Sequence, residues 1–187
     1  MIIAASKILE LNEKYNFISG ISEREKNPGV GFDVRVGEIF KISGEAFLGV
    51  EDRQTPKLEK VAEFGKDKFF ILKPGEFVLV RTVEVVNLPK ERLEINGKRY
   101  FIMQDTYPRS SLQRCGVFLK TTLTDPGYHG KLTFAMKNEG NINFKIELGA
   151  RIAAVVFKAV LGDTIRGYSG RYNGGRVSSN GVVEKQV

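Results

Sequence analysis

The chain has 187 residues, 42% of them hydrophobic and 27% charged, which excludes a disordered or collagen-like polymer and predicts one domain with a sizeable core. A single cysteine excludes an internal disulfide framework, and one cysteine with one histidine argues against a protein-built zinc site. The formal net charge is +7, and the surplus is local: residues 1–88 hold 13 basic and 14 acidic groups, against 7 and 3 in 89–120 and 5 and 2 in 158–187. If the fold joins the two basic segments they make a pocket for a polyanion; otherwise they are solvated side chains on two loops. Nucleic acid is the rival polyanion, but the basic residues form no run or helical stripe and there is no Trp to stack a base, so no stable nucleic-acid binding is expected. No apolar run approaches the roughly 20 residues of a membrane helix. The opening MIIAASKILELNEKY becomes charged too early for a signal peptide, so a soluble, cytoplasmic protein with no membrane partner is expected.

In chain order, Ser6 is the expected cap of a short helix over residues 7–15, with Ile8, Leu9 and Leu11 as its apolar members. Strand patterns follow. FFIL and FVLVRTVEVVNLP read as two strands joined at Pro74-Gly75, the second ending before Pro89. KLTFAMK sets Leu132, Phe134 and Met136 on one face, and INFKIEL does the same for Ile142, Phe144, Ile146 and Leu148. The NEGNI stretch between them reads as a hairpin turn. RIAAVVFKAV is a buried strand by its continuous apolar run. Short strands, 20 glycines and one convincing helix predict an all-β barrel or sandwich. Residues 43–68 are charged and poorly periodic and read as a loop or insertion. The domain is expected over 1–160, with 161–187 a flexible, Gly-rich tail or lid that cannot bury enough to fold alone.

The densest cluster of chemistry-bearing residues is PRSSLQRCGVFLKTTLTDPGYHG, 108–130. Arg109 sets a guanidinium fork beside the Ser110 and Ser111 hydroxyls, which suits phosphate oxygens but is weakly specific. Asp125-Pro126-Gly127 is a turn signature. Asp125 is either an Asx-turn residue or a carboxylate held rigidly at a loop tip, ready to orient a water. Asp33, in GFDVRVGEIF, interrupts an apolar strand and either faces solvent or serves a site. His129 reads as an exposed turn residue, Cys115 as a small core residue, and Gly174-Gly175 as a flexible joint. P-loop and dinucleotide fingerprints are absent.

Taken in order, GFDVRVGEIFKI, ILKPGEFVLVRTVEVVNLP, PRSSL, TDPGYHGKLTFAMKN, LGARIAAVVF and a Gly-rich tail resemble the dCTP deaminase/dUTPase superfamily, from about residue 29 to 176. The resemblance implies a distorted β-barrel or jelly-roll protomer, a homotrimer with sites between subunits, and a deoxynucleoside triphosphate bound with Mg²⁺. The deaminases use a glutamate on the strand after the DPG turn, and the aligned position here is Ala135, which cannot shuttle protons. The chain is therefore most similar to a dUTPase, forming dUMP and pyrophosphate. By that likeness Asp125 orients a water for attack on the α-phosphate, and Tyr128 packs under the deoxyribose. Arg109, Ser110, Ser111, Arg114 and Gly127 contact substrate, and Arg171, Tyr172 and Arg176 belong to the lid. Asp33 lies near the phosphates and metal, through water, with Mg²⁺ held mainly by the phosphates. Three features depart from the pattern. The base-reading hairpin in GVFLKTTLT is short, the tail GRYNGG is deaminase-like, and Ala154 replaces a phosphate-reaching glutamine. The alternatives are a dCTP deaminase, alone or bifunctional, and a non-catalytic nucleotide-binding relative.

Overall fold

The computed structural model describes residues 1–26, 29–163 and 167–186. The tail as delimited above includes residues 164–166 and 187, which lie outside the described residues. Helix α1 (Ala5–Tyr15) precedes strands β1 (Ile18–Ser19), β2 (Phe32–Ser43), β3 (Phe47–Leu48), β4 (Asp52–Gln54), β5 (Lys57–Glu63), β6 (Phe69–Leu72), β7 (Phe77–Asn87), β8 (Leu93–Ile95) and β9 (Lys98–Pro108). The short helix α2 (Ser110–Arg114) leads to β10 (Val117–Lys120), β11 (His129–Asn138), β12 (Phe144–Glu147), β13 (Arg151–Val160) and β14 (Val183–Lys185). The expected all-β class is the observed one. A nine-stranded antiparallel sheet runs β10-β11-β7-β2-β13-β9-β8, with β1 added on β7 and β5 on β2, and it curls around the core.

Period-two patterning explains the main strands. Along β7, Val78, Val80, Thr82, Glu84 and Val86 are buried while their neighbours are partly exposed. The two polar members of that buried row are satisfied. Glu84 accepts from the backbone N–H and Nε of Arg35 at 2.8 and 2.6 Å, and the Thr82 hydroxyl donates to the Glu84 carbonyl and accepts from Leu132 N–H. At the centre of the core Phe157 of β13 stacks edge-on against Phe17 and Phe32, with ring centroids 5.6 and 6.1 Å away.

Four local expectations are corrected. The residue capping α1 is Ala4, with no side-chain hydrogen bond, and Ser6 lies inside the first turn. The β11–β12 hairpin does not form: β12 pairs with β6 in a separate two-stranded sheet. Asn138 redirects the chain there, its amide donating to the carbonyls of Leu72 and Ile142, which leaves Ile142 exposed. Residues 43–68 carry strands. β5 extends the main sheet at β2, while β3 and β4 form a small sheet with β14 from the tail, a partner that local periodicity does not reveal. Cys115 is exposed at the end of α2, where its backbone N–H closes the turn.

Candidate active site

The turn after β10 builds the site. The backbone N–H of Tyr128 bonds to the Asp125 carbonyl at 3.3 Å, and the turn is anchored to the end of β7 by Gly127 N–H to Leu88 O and by Leu88 N–H to Tyr128 O. Gly127 has φ +96°, and a Cβ there would sit 2.8 Å from the Lys90 side chain. The turn so fixed presents Asp125 to solvent and buries Tyr128. Among the described residues the Asp125 carboxylate makes no hydrogen bond or ion pair, so its acceptors are free for a ligand or water.

A cleft of about 300 Å³ opens beside this turn. Asp125, Tyr128, Thr133, Tyr168, Tyr172 and Arg176 are among the residues that line it. Tyr128 is only 7% exposed; its hydroxyl donates to the Lys131 carbonyl at 2.6 Å, and its ring meets Tyr168 edge-on at 5.3 Å. Desolvation, with a smaller contribution from the Tyr168 hydroxyl, pushes the Tyr128 phenol up to about 12. It stays neutral at any ordinary pH and serves as a packing surface. Thr133 contributes a hydroxyl oxygen that is buried without a hydrogen-bond partner among the described residues.

The tail crosses the mouth of its own chain's cleft. Tyr168 N–H bonds to the Pro126 carbonyl at 2.6 Å, and Asn173 Oδ1 accepts from His129 N–H at 2.8 Å. The expected joint at Gly174-Gly175 is instead a close backbone packing: a Cβ on Gly130 would fall 2.3 Å from Gly175 N. Arg81 adds a tie, donating to the Gly175 carbonyl at 3.0 Å.

The structure thus brings Asp125, Tyr128, Tyr172 and Arg176 together, with Gly127 on the same turn as Asp125 and Tyr128, and sets Arg171, Arg109, Ser110, Ser111, Arg114 and Asp33 apart from them. Arg171 is exposed and donates to the Lys185 carbonyl. Arg109, Ser110, Ser111 and Arg114 do not line the cleft; Ser111 borders a separate hollow with Cys115 and Arg151. Asp33 is held between two guanidiniums, those of Arg109 and Arg151, the latter at 2.8 Å. Within one chain Arg176 of the tail lines the cleft, whereas Arg109 and Arg114 of the central basic segment do not. Ala135 lines a different, apolar hollow with Phe77 and Phe118; Glu139 borders it too, paired to Lys137 at 2.7 Å. His129 is exposed, as expected of a turn residue.

Among the described residues no group of three His, Cys, Asp or Glu side chains is placed to chelate an ion. With Asp33 committed to two arginines, the donor set does not fit a protein-held magnesium site. Among the described residues no helix is long and apolar enough to cross a membrane.

Tyr168 and Thr133 join the site through the tertiary structure and carry no motif in the sequence. Tyr168 sits in a Gly-rich stretch with no periodicity, and Thr133 reads as an ordinary outward residue of an alternating strand. The signal that finds Thr133 is its position eight residues after Asp125 on the strand leaving the turn, which needs the register to interpret.

Comparison with known proteins follows this geometry. Residues 2–160 match the family model described as dCTP deaminase-like. The probable deoxyuridine 5'-triphosphate nucleotidohydrolase of Aeropyrum pernix is 34% identical over 145 residues, covering 77% of this chain and 82% of that protein. A dUMP-forming dCTP deaminase of Dictyoglomus thermophilum is 31% identical over 131 residues, 67% of this chain and 62% of that one. The crystal structure of the 2'-deoxycytidine 5'-triphosphate deaminase from Agrobacterium tumefaciens superposes with a TM-score of 0.62 at 15% identity, over 85% of this chain and 48% of that longer chain. At that identity the likeness is one of fold.

Proposed function

The chain belongs to the dCTP deaminase-like family, and within it we propose that this protein hydrolyses dUTP to dUMP and pyrophosphate. The relatives are named both for dUTP hydrolysis and for dCTP deamination, so the choice rests on this chain's own residues. The observation that carries it is the Asp125 carboxylate, free of partners among the described residues and presented by a rigid turn at a cleft walled by tyrosines and Arg176. By the resemblance Ala135 supports the same branch, because the position aligned with the deaminases' glutamate carries a methyl group that cannot shuttle protons.

In this reading Asp125 accepts a hydrogen bond from a water and takes its proton as the water oxygen attacks the α-phosphorus. The bond from that phosphorus to the bridging oxygen breaks, and pyrophosphate leaves with the electron pair. Tyr128 packs edge-on beneath the sugar, with no space for a 2'-hydroxyl. Arg176 offsets the charge that spreads over the phosphate oxygens. Magnesium would be carried by the triphosphate oxygens and would offset their charge. Arg109, Ser110, Ser111 and Arg114 are set apart from the cleft in one chain, so they serve the phosphates from a neighbouring subunit of a homotrimer.

The test is release of pyrophosphate and of ammonia from dUTP, dCTP, dTTP and UTP with magnesium. Pyrophosphate from dUTP without ammonia supports the proposal. Ammonia from dCTP overturns the choice of branch, and binding of dUTP without turnover overturns catalysis.

A further inference from the structure

The segment that carries β3 and β4 interrupts the main sheet only to meet the tail. β14 pairs with β4 from Val183↔Gln54 to Lys185↔Asp52. Beside that ladder Ser178 and Ser179 lock onto Thr55: Thr55 N–H donates to Ser179 Oγ at 3.0 Å, and Ser179 N–H donates to Thr55 Oγ1 at 2.6 Å. Both serines are buried, so these bonds are shielded from water.

Arg53 is the hub. Its guanidinium lies over the ring of Tyr172 at 4.6 Å from the centroid, and its Nε donates to Glu184 Oε1 at 3.0 Å. Glu184 takes a second guanidinium on its other oxygen, that of Arg176 at 2.8 Å, and Arg176 Nε donates to the Ser178 carbonyl at 3.0 Å. One arginine outside the cleft therefore touches Tyr172 directly and fixes Arg176 through Glu184, and these are two of the lining residues that the tail supplies.

We propose that Arg53 is a positioning residue: through Tyr172 and the shared Glu184 carboxylate it holds the tail in the geometry that completes the nucleotide cleft. This rests on the reading of the cleft as a nucleotide site. Arg53 is not itself a lining residue of the cleft. Its loss lowers the fraction of molecules whose tail is in place, and apparent affinity falls by that fraction. Once nucleotide is bound it draws the tail back, so turnover at saturation is preserved.

The experiment uses the full chain with Arg53→Met, which keeps the length of the stem and removes the cation, and Arg53→Lys, which keeps the ion pair but not the planar stack. Two readings are taken: kcat and KM for dUTP, and the rate at which trypsin cuts after Arg171, followed by mass. For Arg53→Met the expected result is a KM raised about tenfold with kcat within about twofold, and faster cutting after Arg171. Arg53→Lys should fall between the variant and the parent on both readings. An unchanged KM, or a kcat loss with KM unaltered, overturns the proposal, whether or not cutting accelerates. An unchanged cutting rate overturns it as well. If the parent protein turned over no dUTP the assignment of function would fail by itself, and the cutting rate alone would decide the role of Arg53.

Discussion

Arg81 joins Glu38 on β2 to the tail: its Nε meets the Glu38 carboxylate at 2.5 Å and its Nη1 meets the Gly175 carbonyl at 3.0 Å. Glu38 is 6% exposed and also receives Lys60 at 3.3 Å. Burial opposes ionisation of Glu38, but the hydrogen bond and charge of Arg81, aided by Lys60 and Lys131, outweigh it and hold the carboxyl below its ordinary value of 4.5. The barrel wall and the tail thus share one charged anchor.

That anchor predicts an acid dependence. A carboxyl with a depressed folded value contributes stability that is complete above its unfolded value and is lost as the pH falls through the folded one. Glu63, held down to about 2 by hydrogen bonds from Lys60 and Lys66, acts in the same direction. The melting temperature of the parent protein should fall as the pH drops below 4.5. Glu38→Gln should melt lower at neutral pH and show a shallower acid slope, with the Glu63 share of the slope retained; parallel curves would show that Glu38 does not carry the effect.

Asp125→Asn preserves the size of the side chain and disturbs no hydrogen bond of that side chain among the described residues. Turnover of dUTP should fall by about 10³-fold, in the range expected for losing a positioned general base. Calorimetric binding of dUTP should stay within about threefold of the parent value. Full activity in this variant would eliminate the proposed role of Asp125.

Thr133→Val removes a buried hydroxyl that has no hydrogen-bond partner among the described residues. Relief of that unsatisfied group should raise stability by about 1 kcal/mol, visible in denaturant unfolding. The same change should lower kcat/KM for dUTP by about tenfold if the hydroxyl bonds to the nucleotide. A gain in stability with unaltered kinetics would assign Thr133 to packing alone.

Gly130→Ala places a Cβ 2.3 Å from Gly175 N and 2.7 Å from Gly174 C, at a residue with φ +149°. Backbone stands on both sides, so the tail and β11 must separate. KM for dUTP should rise at least about tenfold while the barrel core keeps its fold by near-ultraviolet circular dichroism. An unaffected KM would show that the tail contributes nothing to nucleotide binding.

Much of this molecule is legible in the chain itself, because its causes are local. The alternation of FVLVRTVEVVN and KLTFAMK requires strands with one buried face, and Asp125-Pro126-Gly127 requires a turn, since a period of two and special backbone angles belong to neighbouring residues. What the local pattern leaves open is partnership. INFKIEL alternates as a strand does, but whether it pairs with β11 or β6 depends on Asn138 bonding to Leu72, far away in sequence. Residues 52–54 pair locally with β3 and gain their second partner, β14, only from the tail, and Arg53 acquires its place only when Tyr172 and Glu184 arrive from more than a hundred residues downstream. The site divides in the same way. The sequence by itself determined that Asp125 and Tyr128 stand together on one turn, since only three peptide bonds separate them. The tertiary structure alone decided that Arg176 faces them while Arg109 pairs with Asp33, because those separations are set by sheet order and not by spacing along the chain.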